Sequence, residues 1–514
     1  MISGALFPIT HRLCRLAFFL DVRKAFDTVW HEGLWYKLWH KGVQGKIWRL
    51  LRNMYLNMGS RVLVNGEVSY KFPIRQGTAQ GCTLSPLLYN IFIDGLMHAV
   101  DEAGFGTEVL LQVGSLMYAD DYVGLETSPQ RLQALIDVIR EYLRKWGLRA
   151  NIVKSAVVIF GRNTTDYADF NWKWGDEEIP IKHAYKYLGV MFHSSGKWNV
   201  HVDNVISKGQ VALTRCNNYF TSRKLTIDVK LLIYKQYVRP ALEYASEIWT
   251  CTETQSGALE RIQLSAARKI LGCFRNTASV GVLVELGLQK LAVRRLASQV
   301  RWYSKLHSTT TLSHRIFEQT NNSSKWLAQL QRKWQQTVGG PIIPQLGKLL
   351  INKAALQAQG VEMEARSTMS LLKLINPIPF KLQPYLKGST SNDRGTKLKM
   401  KFRTGTIEIG DLMQRRRVHP SSHGLCIHCG RRETVEHVIM ACEKYDHLRL
   451  SFFSKLKDCF SSYAVFREFL QDTSTDFELV SLLFSDRFWM KKGAFKDANA
   501  LICDFLSKIW ELRS

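Results

Sequence analysis

The sequence predicts an α+β domain with a largely antiparallel sheet, followed by a basic helical region and a short cysteine-rich module. Three observations predict the sheet domain. Ala17–Asp21 (AFFLD) and Ala156–Phe160 (AVVIF) are apolar runs of strand length, too short for helices. Ser115–Tyr118 (SLMY) and Tyr122–Glu126 (YVGLE) are β-prone flanks around Ala119-Asp120-Asp121, which reads as a hairpin. Between that hairpin and AVVIF, Leu132, Leu135, Ile136, Ile139, Leu143 and Trp146 fall on one face of a helix. Mixed strands and helices in this order suggest an α+β domain with a largely antiparallel sheet.

At 514 residues the chain should hold two or more domains, and 46% hydrophobic content suffices for sizeable cores. Seventy Lys plus Arg against 44 Asp plus Glu give a net charge of +26, which points to a polyanionic partner. Aromatic residues interleaved with basic ones suit stacking on bases. The ten cysteines are scattered apart from one cluster near the C-terminus, which argues against a disulfide framework and for a reducing compartment. LAFFL at 16–20 is too short for a membrane span and no other run is long enough. The chain therefore reads as soluble and intracellular.

From about 205 to 310 the pattern is helical and basic. LLIYKQYVRPALEYASEIW contains Pro240, where a kink or break is expected, and ALERIQLSAARKILGCF follows with helical spacing. STTTL (308–312), NNSS (321–324) and GGP (339–341) are loop signals. KLKMKFR (397–403) and RRR (415–417) read, each alone, as solvated basic faces.

Asp120 and Asp121 are the chemistry-bearing pair. Adjacent carboxylates beside an apolar core raise each other's pKa unless a cation compensates. Mg²⁺, which favours one or two carboxylates plus substrate phosphates, is the usual compensation. Asp21 ends an apolar strand; if that strand pairs with the hairpin, three acids meet. Such a set can hold two metals about 3.5–4 Å apart for an in-line displacement. The competing reading of Asp-Asp is a simple hairpin turn. Between the acids, IRQGTAQGCTLSPLLYNIFIDGL offers Gly77 and Gly81 for close backbone approach, then Ser85 as N-cap and Pro86 in the first helical turn.

The ordered blocks FFLDVRKAFDTVWH, AQGCTLSPLLYNIFIDGL, YADD, WGLRANIVKS and YKYLGVMF resemble motifs A to E of the reverse transcriptase of non-LTR (LINE-type) retrotransposons. The resemblance is close over roughly residues 10–310. It implies a right-hand polymerase palm with an antiparallel sheet and a helical thumb. It implies that Asp21, Asp120 and Asp121 bind two Mg²⁺ ions, and that Phe26 checks the nucleotide sugar. Gln80 and Gly81 would pack against the incoming deoxynucleoside triphosphate and template, with Ala79 where the family often has Pro. Asn151 and Lys154 match motif D, where Lys154 could protonate the leaving pyrophosphate; a surface lysine is the competing account. Tyr187, Leu188 and Gly189 match the primer grip. Template RNA, a DNA primer, target DNA and a nuclear site of action follow from the same resemblance.

The second cluster, CIHCGRRETVEHVIMACEKY, places Cys426, Cys429, His437 and Cys442 as C-x2-C-x7-H-x4-C. Four soft and borderline ligands at this spacing suit a structural Zn²⁺. A C-terminal knuckle is also a feature of many non-LTR elements. The expected organisation is a palm over 1–205, a thumb-like region over 206–310, a basic connection over 311–420, the knuckle over 421–447 and a helical tail over 448–514. Asp21 stands only about twenty residues from Met1, so the resemblance implies an N-terminally truncated enzyme with its fingers largely missing. The alternative expectation is an inactive remnant that binds nucleic acid.

Overall fold

The computed structural model describes residues 16–79, 81–105, 114–161, 167, 170–320, 325–415, 424–460, 466–467, 469–470 and 475–513. The chain divides into two compact units, one built mainly from the first 202 residues and one mainly from the remainder. Among the described residues no helix is long and apolar enough to cross a membrane.

The first unit is organised around β1 (Leu16–Leu20), which is buried along its whole length. Helices α1 (His31–His40) and α2 (Gly45–Leu56) follow, then two short hairpins within residues 59–73. Next come α3 (Ser85–Ile93) and α4 (Gly95–Glu102), the hairpin β2 (Ser115–Tyr118) and β3 (Asp121–Glu126), and α5 (Pro129–Lys145). β4 (Ala156–Ile159) completes a four-stranded antiparallel sheet in the order β2-β3-β1-β4.

Strand β1 is buried on both faces because each has its own cover. Leu16, Phe18 and Leu20 join Leu132, Leu135, Ile136, Ile139 and Leu143 of α5 in one core. On the opposite face, Phe19 stacks on Tyr185 of strand β5 (Ala184–Tyr187), with ring centroids 4.5 Å apart. Among the described residues β5 pairs only with β6 (Val190–His193), through a turn at Leu188-Gly189. Helix α5 begins where Ser128 Oγ accepts from the Arg131 amide at 3.2 Å, a local cap for the run of apolar residues behind it.

Two local expectations change. Ser85 is the first residue of α3 rather than its N-cap, and its hydroxyl donates to the Ala79 carbonyl at 2.6 Å. That bond ties the preceding loop to the helix. In the second unit, the expected break at Pro240 takes the form of a wide π turn, Tyr234–Val238, between helix α6 (Ile227–Ile233) and the short helix Arg239–Glu243. Proline has no amide to donate, so the helical ladder reorganises just ahead of it.

The second unit is helical. Helix α7 (Glu253–Leu271) starts in a reciprocal capping box between Thr252 and Gln255. Helix α8 (Arg394–Arg403) packs against α9 (Phe495–Arg513), and their apolar residues enter one core with the buried cysteines Cys426 and Cys442. α8 contains KLKMKFR, which is no solvated face. Lys399 Nζ lies 2.8 Å from Asp486 Oδ1, and Arg403 Nε lies 2.7 Å from Glu285 Oε1, with all four side chains at most 1% exposed. The acids that make this burial tolerable stand 87 and 118 residues away in sequence.

Candidate active site and a cysteine–histidine cluster

The strand register builds the acidic site. Leu20 pairs with Tyr122 across β1 and β3, so Asp21, the next residue, adjoins Asp121 at the start of β3. Tyr118 pairs with Asp121 across the hairpin, which leaves Ala119 and Asp120 as a two-residue turn. Ala119 has φ +54°, a left-handed conformation that a non-glycine residue adopts at some cost. Lys24 (φ +47°) and Leu188 (φ +47°) adopt it too, in turns on either side of the acids. Three such turns around one sheet end mark a region where backbone position outranks local comfort.

Asp21 is clamped through its backbone. Its carbonyl accepts from the Asn151 amide at 2.8 Å, and its amide donates to Ser155 Oγ at 3.1 Å. Ser155 Oγ in turn donates to the Asn151 carbonyl at 2.9 Å. Lys154 belongs to this same turn, its amide bonded to the Asn151 carbonyl at 3.0 Å and its side chain exposed. Asp121 is held from the other side: Tyr187 Oη donates to its carbonyl at 3.2 Å. Motifs far apart in sequence therefore converge on the two acids through backbone bonds.

Burial raises the Asp121 carboxyl pKa, and the charges of Asp120 and Asp21 raise it further. Tyr185 is pushed up to about 12, by burial and then by Asp21 and Asp121. Two carboxylates raising the pKa of a third at one sheet end is an electrostatic condition that a divalent ion relieves. The acids share a sheet end, although among the described residues their oxygens do not gather within 4.8 Å as the cysteine–histidine set below does.

Phe26 lies beside this end of the sheet, stacked on buried Tyr89 with centroids 4.7 Å apart. Its carbonyl accepts from the Thr78 amide at 2.7 Å, and the Gly77 amide donates to the Val29 carbonyl at 2.8 Å. Gly77 has φ +88°, and a Cβ there would lie 2.7 Å from the Asp27 carbonyl oxygen. Only glycine lets these two segments meet. Gly81 is exposed in the following turn, and Gln80 lies outside the described residues. Sequence reasoning missed Tyr89, Ser155 and Tyr185, whose roles come from partners that no local pattern announces.

The second cluster forms a compact set. Cys426, Cys429, His437 and Cys442 each offer a ligand atom within 4.8 Å of the others. Cys426 Sγ and Cys442 Sγ are 3.9 Å apart, and Cys429 Sγ is 3.2 Å from His437 Nε2. Two thiolates about 2.3 Å from a tetrahedral Zn²⁺ would be about 3.8 Å apart, so the donor set and spacing suit that ion. A tight hairpin shapes the first pair: the Cys426 amide donates to the Arg431 carbonyl at 2.7 Å and the Gly430 amide to the Cys426 carbonyl at 2.9 Å. Burial works against the Cys426 thiolate, yet the amides of His428 and Cys429 and the neighbouring thiols draw the thiol's pKa down. Cys442 is pushed up to about 11 by burial and by Cys426.

Comparison with known proteins bears on the acidic site. Residues 9–192 match the family described as "Reverse transcriptase (RNA-dependent DNA polymerase)". This segment belongs to the reverse transcriptase family. The relatives it matches are proteins of mobile elements. The chain is 27% identical over 326 residues to the RNA-directed DNA polymerase from mobile element jockey of Drosophila funebris, covering 61% of this chain and 35% of that protein. It is 29% identical over 274 residues to the probable RNA-directed DNA polymerase from transposon X-element of Drosophila melanogaster, covering 50% and 29%. It is 26% identical over 268 residues to the Pol polyprotein of the type-1 retrotransposable element R2 of Popillia japonica, covering 51% and 43%. The chain thus spans less than half the length of each of these relatives. A solved telomerase from Candida albicans overlays with a TM-score of 0.30 at 10% identity, over 62% of this chain and 53% of that one, too loosely to argue from. The sheet with Asp21, Asp120 and Asp121 at its end falls within the reverse transcriptase segment.

Proposed function

We propose that this chain is an RNA-directed DNA polymerase of the non-LTR type, extending a DNA primer on an RNA template with deoxynucleoside triphosphates. The observation that carries this reading is the meeting of Asp21 with Asp121 at the end of β1 and β3, inside the segment that matches the family. Asp21, Asp120 and Asp121 would hold two Mg²⁺ ions, which would supply stabilisation of the attacking and leaving oxygens of an in-line displacement. The backbone bonds from Asn151, Ser155 and Tyr187 fix the acids in place for that work. Phe26, backed by Tyr89, sets the floor against which the sugar rests and disfavours a 2′-hydroxyl. Gln80 and Gly81 contact the nucleotide and template, and Lys154 delivers a proton to the leaving pyrophosphate. The Leu188-Gly189 turn holds the primer end.

The sheet domain corresponds to a polymerase palm and the helices over 206–310 to a thumb that contacts backbone phosphates. Cys426, Cys429, His437 and Cys442 hold a structural Zn²⁺, supported by their spacing and burial. Target DNA and a nuclear site of action belong to the same reading. The test is primer extension by the full chain on an RNA template with Mg²⁺, beside Asp120→Asn. Extension that disappears in the variant supports the proposal. A folded wild type that binds the primed template and extends nothing would overturn it.

A further inference from the structure

His31 is the last residue of FFLDVRKAFDTVWH and the first of helix α1. The segment it ends lies antiparallel to the start of the loop that carries Gln80 and Gly81. Trp30 bridges to Gln76, the Gly77 amide donates to the Val29 carbonyl at 2.8 Å, and the Thr78 amide donates to the Phe26 carbonyl at 2.7 Å. Among the described residues two side chains reinforce this strip. Thr78 Oγ1 donates to the Phe26 carbonyl at 3.3 Å, and His31 Nε2 lies 2.8 Å from the Gly77 carbonyl oxygen. A carbonyl only accepts, so Nε2 carries the proton.

The imidazole is braced for that bond. Tyr55 of α2 meets it edge-on, with centroids 5.3 Å apart at 85°, and Trp35 of α1 lies 6.1 Å away. Tyr55 and Trp35 pack on each other at 5.4 Å, and Trp48 Nε1 donates to the Trp35 carbonyl at 3.0 Å. Two helices therefore aim one donor at one carbonyl. That carbonyl is where the loop leaves the strip. Gly77 (φ +88°) and Gly81 (φ +84°) flank Thr78-Ala79-Gln80 in the left-handed conformations that the turn requires. Glycine also widens the range of conformations open to a loop, and ordering it on binding would weaken affinity. Further along, Ser85 Oγ donates to the Ala79 carbonyl. His31 and Ser85 thus fix the peptide planes on either side of Thr78 and Ala79 before any nucleotide arrives.

We infer that His31 is a positioning residue whose Nε2 donor presets the 77–81 loop for the incoming nucleotide, an inference that rests on the polymerase reading for what the loop contacts. Three variants of the full chain separate the donor from the ring. His31→Phe keeps a ring and loses the donor, His31→Ala loses both, and His31→Gln keeps an N–H at similar reach. Single-nucleotide extension of a primed RNA template is measured across deoxynucleotide concentrations. In His31→Phe and His31→Ala the nucleotide KM rises about fivefold, the worth of one hydrogen bond, while kcat stays within about twofold. His31→Gln recovers most of the KM. Hydrogen exchange read by mass spectrometry without nucleotide follows the peptide containing Gly77 to Cys82. Its exchange quickens about fivefold in His31→Phe and returns toward wild type in His31→Gln, with peptides from β1 and β3 unchanged.

A His31→Phe variant with wild-type KM and wild-type loop exchange would overturn the inference. So would His31→Gln as impaired as His31→Phe, or kcat and melting temperature falling together with no change in KM, which would mark a packing role. Should His31→Phe not fold, His31→Ala is read against His31→Gln by the same measures. A wild type that extends nothing would count against the polymerase reading instead, and loop exchange alone then decides whether His31 holds the loop.

Discussion

Removal of the Zn²⁺ proposed for the cysteine–histidine cluster should unfold the core around it, and the size of the effect can be worked from the surroundings. Cys426 is 2% and Cys442 0% exposed, and both belong to the same apolar core as Val438, Ile439, Tyr445 and Leu506. Without a cation, two thiols 3.9 Å apart compete for one charge, with Cys426 drawn toward thiolate and Cys442 pushed up to about 11. A bound Zn²⁺ lets both ionise inside the core. At free zinc a thousandfold above the dissociation constant, linkage contributes about 4 kcal/mol to the folded state. For a unit of about 285 residues that corresponds to about 7 °C in melting temperature, at about 2.1 cal/mol/K of unfolding entropy per residue. The assay is metal content by mass spectrometry together with thermal melting, before and after a strong chelator. One zinc per chain, a melt lowered by that amount, and recovery on adding zinc are expected. Cys442→Ser should lose the metal, whereas Cys503→Ser, outside the cluster, should keep it. Protein purified with less than about 0.1 zinc per chain, whose melt ignores both chelator and Cys442→Ser, would refute the reasoning.

Four further outcomes follow from the same structure. Asp121→Asn should lower primer extension by about a thousandfold, several kcal/mol of transition-state stabilisation, and in metal-free buffer should raise the melting temperature, because burial and the charges of Asp120 and Asp21 disfavour the ionised carboxyl; an unchanged extension rate would exclude it as a metal ligand. Phe26→Val should raise the use of ribonucleotides relative to deoxynucleotides at least tenfold in single-nucleotide incorporation, and an unaltered ratio would remove Phe26 from sugar selection. Arg403→Met should destabilise the chain by about 3–5 kcal/mol in urea melts, since Glu285 stays fully buried without its cation; a change below about 1 kcal/mol, the size of a surface pair, would contradict the pairing. Lys37 is pulled down to about 7 by burial, with Asp94 opposing and Lys145 and Lys41 adding to the fall. The folded chain then sheds above about pH 7 a proton that an unfolded lysine keeps to about 10.4, so wild-type stability relative to Lys37→Met should climb across that window. A difference flat from pH 6.5 to 9.5 would show that the contact of Nζ with Trp146, 3.7 Å from the ring centroid, keeps the ammonium charged.

What sequence reasoning could read was whatever repeats at short range. The apolar stripe of α5 is visible because one turn of helix separates its members, and each of Leu132, Leu135, Ile136, Ile139 and Leu143 is buried. The hairpin at Asp120 and Asp121 is visible because two residues of turn separate its strands. The C-x2-C spacing is visible because a knuckle needs two intervening residues. The partners of these elements are invisible in the same text. Ser155 bonds Asp21 across 134 positions and Tyr187 bonds Asp121 across 66, and a serine or tyrosine at the end of a strand has many other uses. Ser85 has the composition of a helix cap, but the Ala79 carbonyl, six residues back, outcompeted the helix for its hydroxyl.

The misread run KLKMKFR shows where charge patterning loses its force. Alternating cations along a helix predict a wet face only while no acid is buried opposite them. Here Glu285 and Asp486 come from two separate helices and meet Arg403 and Lys399 inside the core, with Tyr385 against both cations. A cavity beside α7, lined by Arg261, Arg275 and Lys397 among other residues, is the converse. Its cations, among them Lys397 of α8 itself, are scattered in sequence, yet among the described residues no acid lines the wall they share. A basic residue is thus structural when the fold brings it an anion, and available for a ligand when the fold withholds one. Net charge of +26 cannot separate the two. The location of the acids can, which is why urea stability should follow Lys399 and Arg403 rather than Arg261, Arg275 and Lys397.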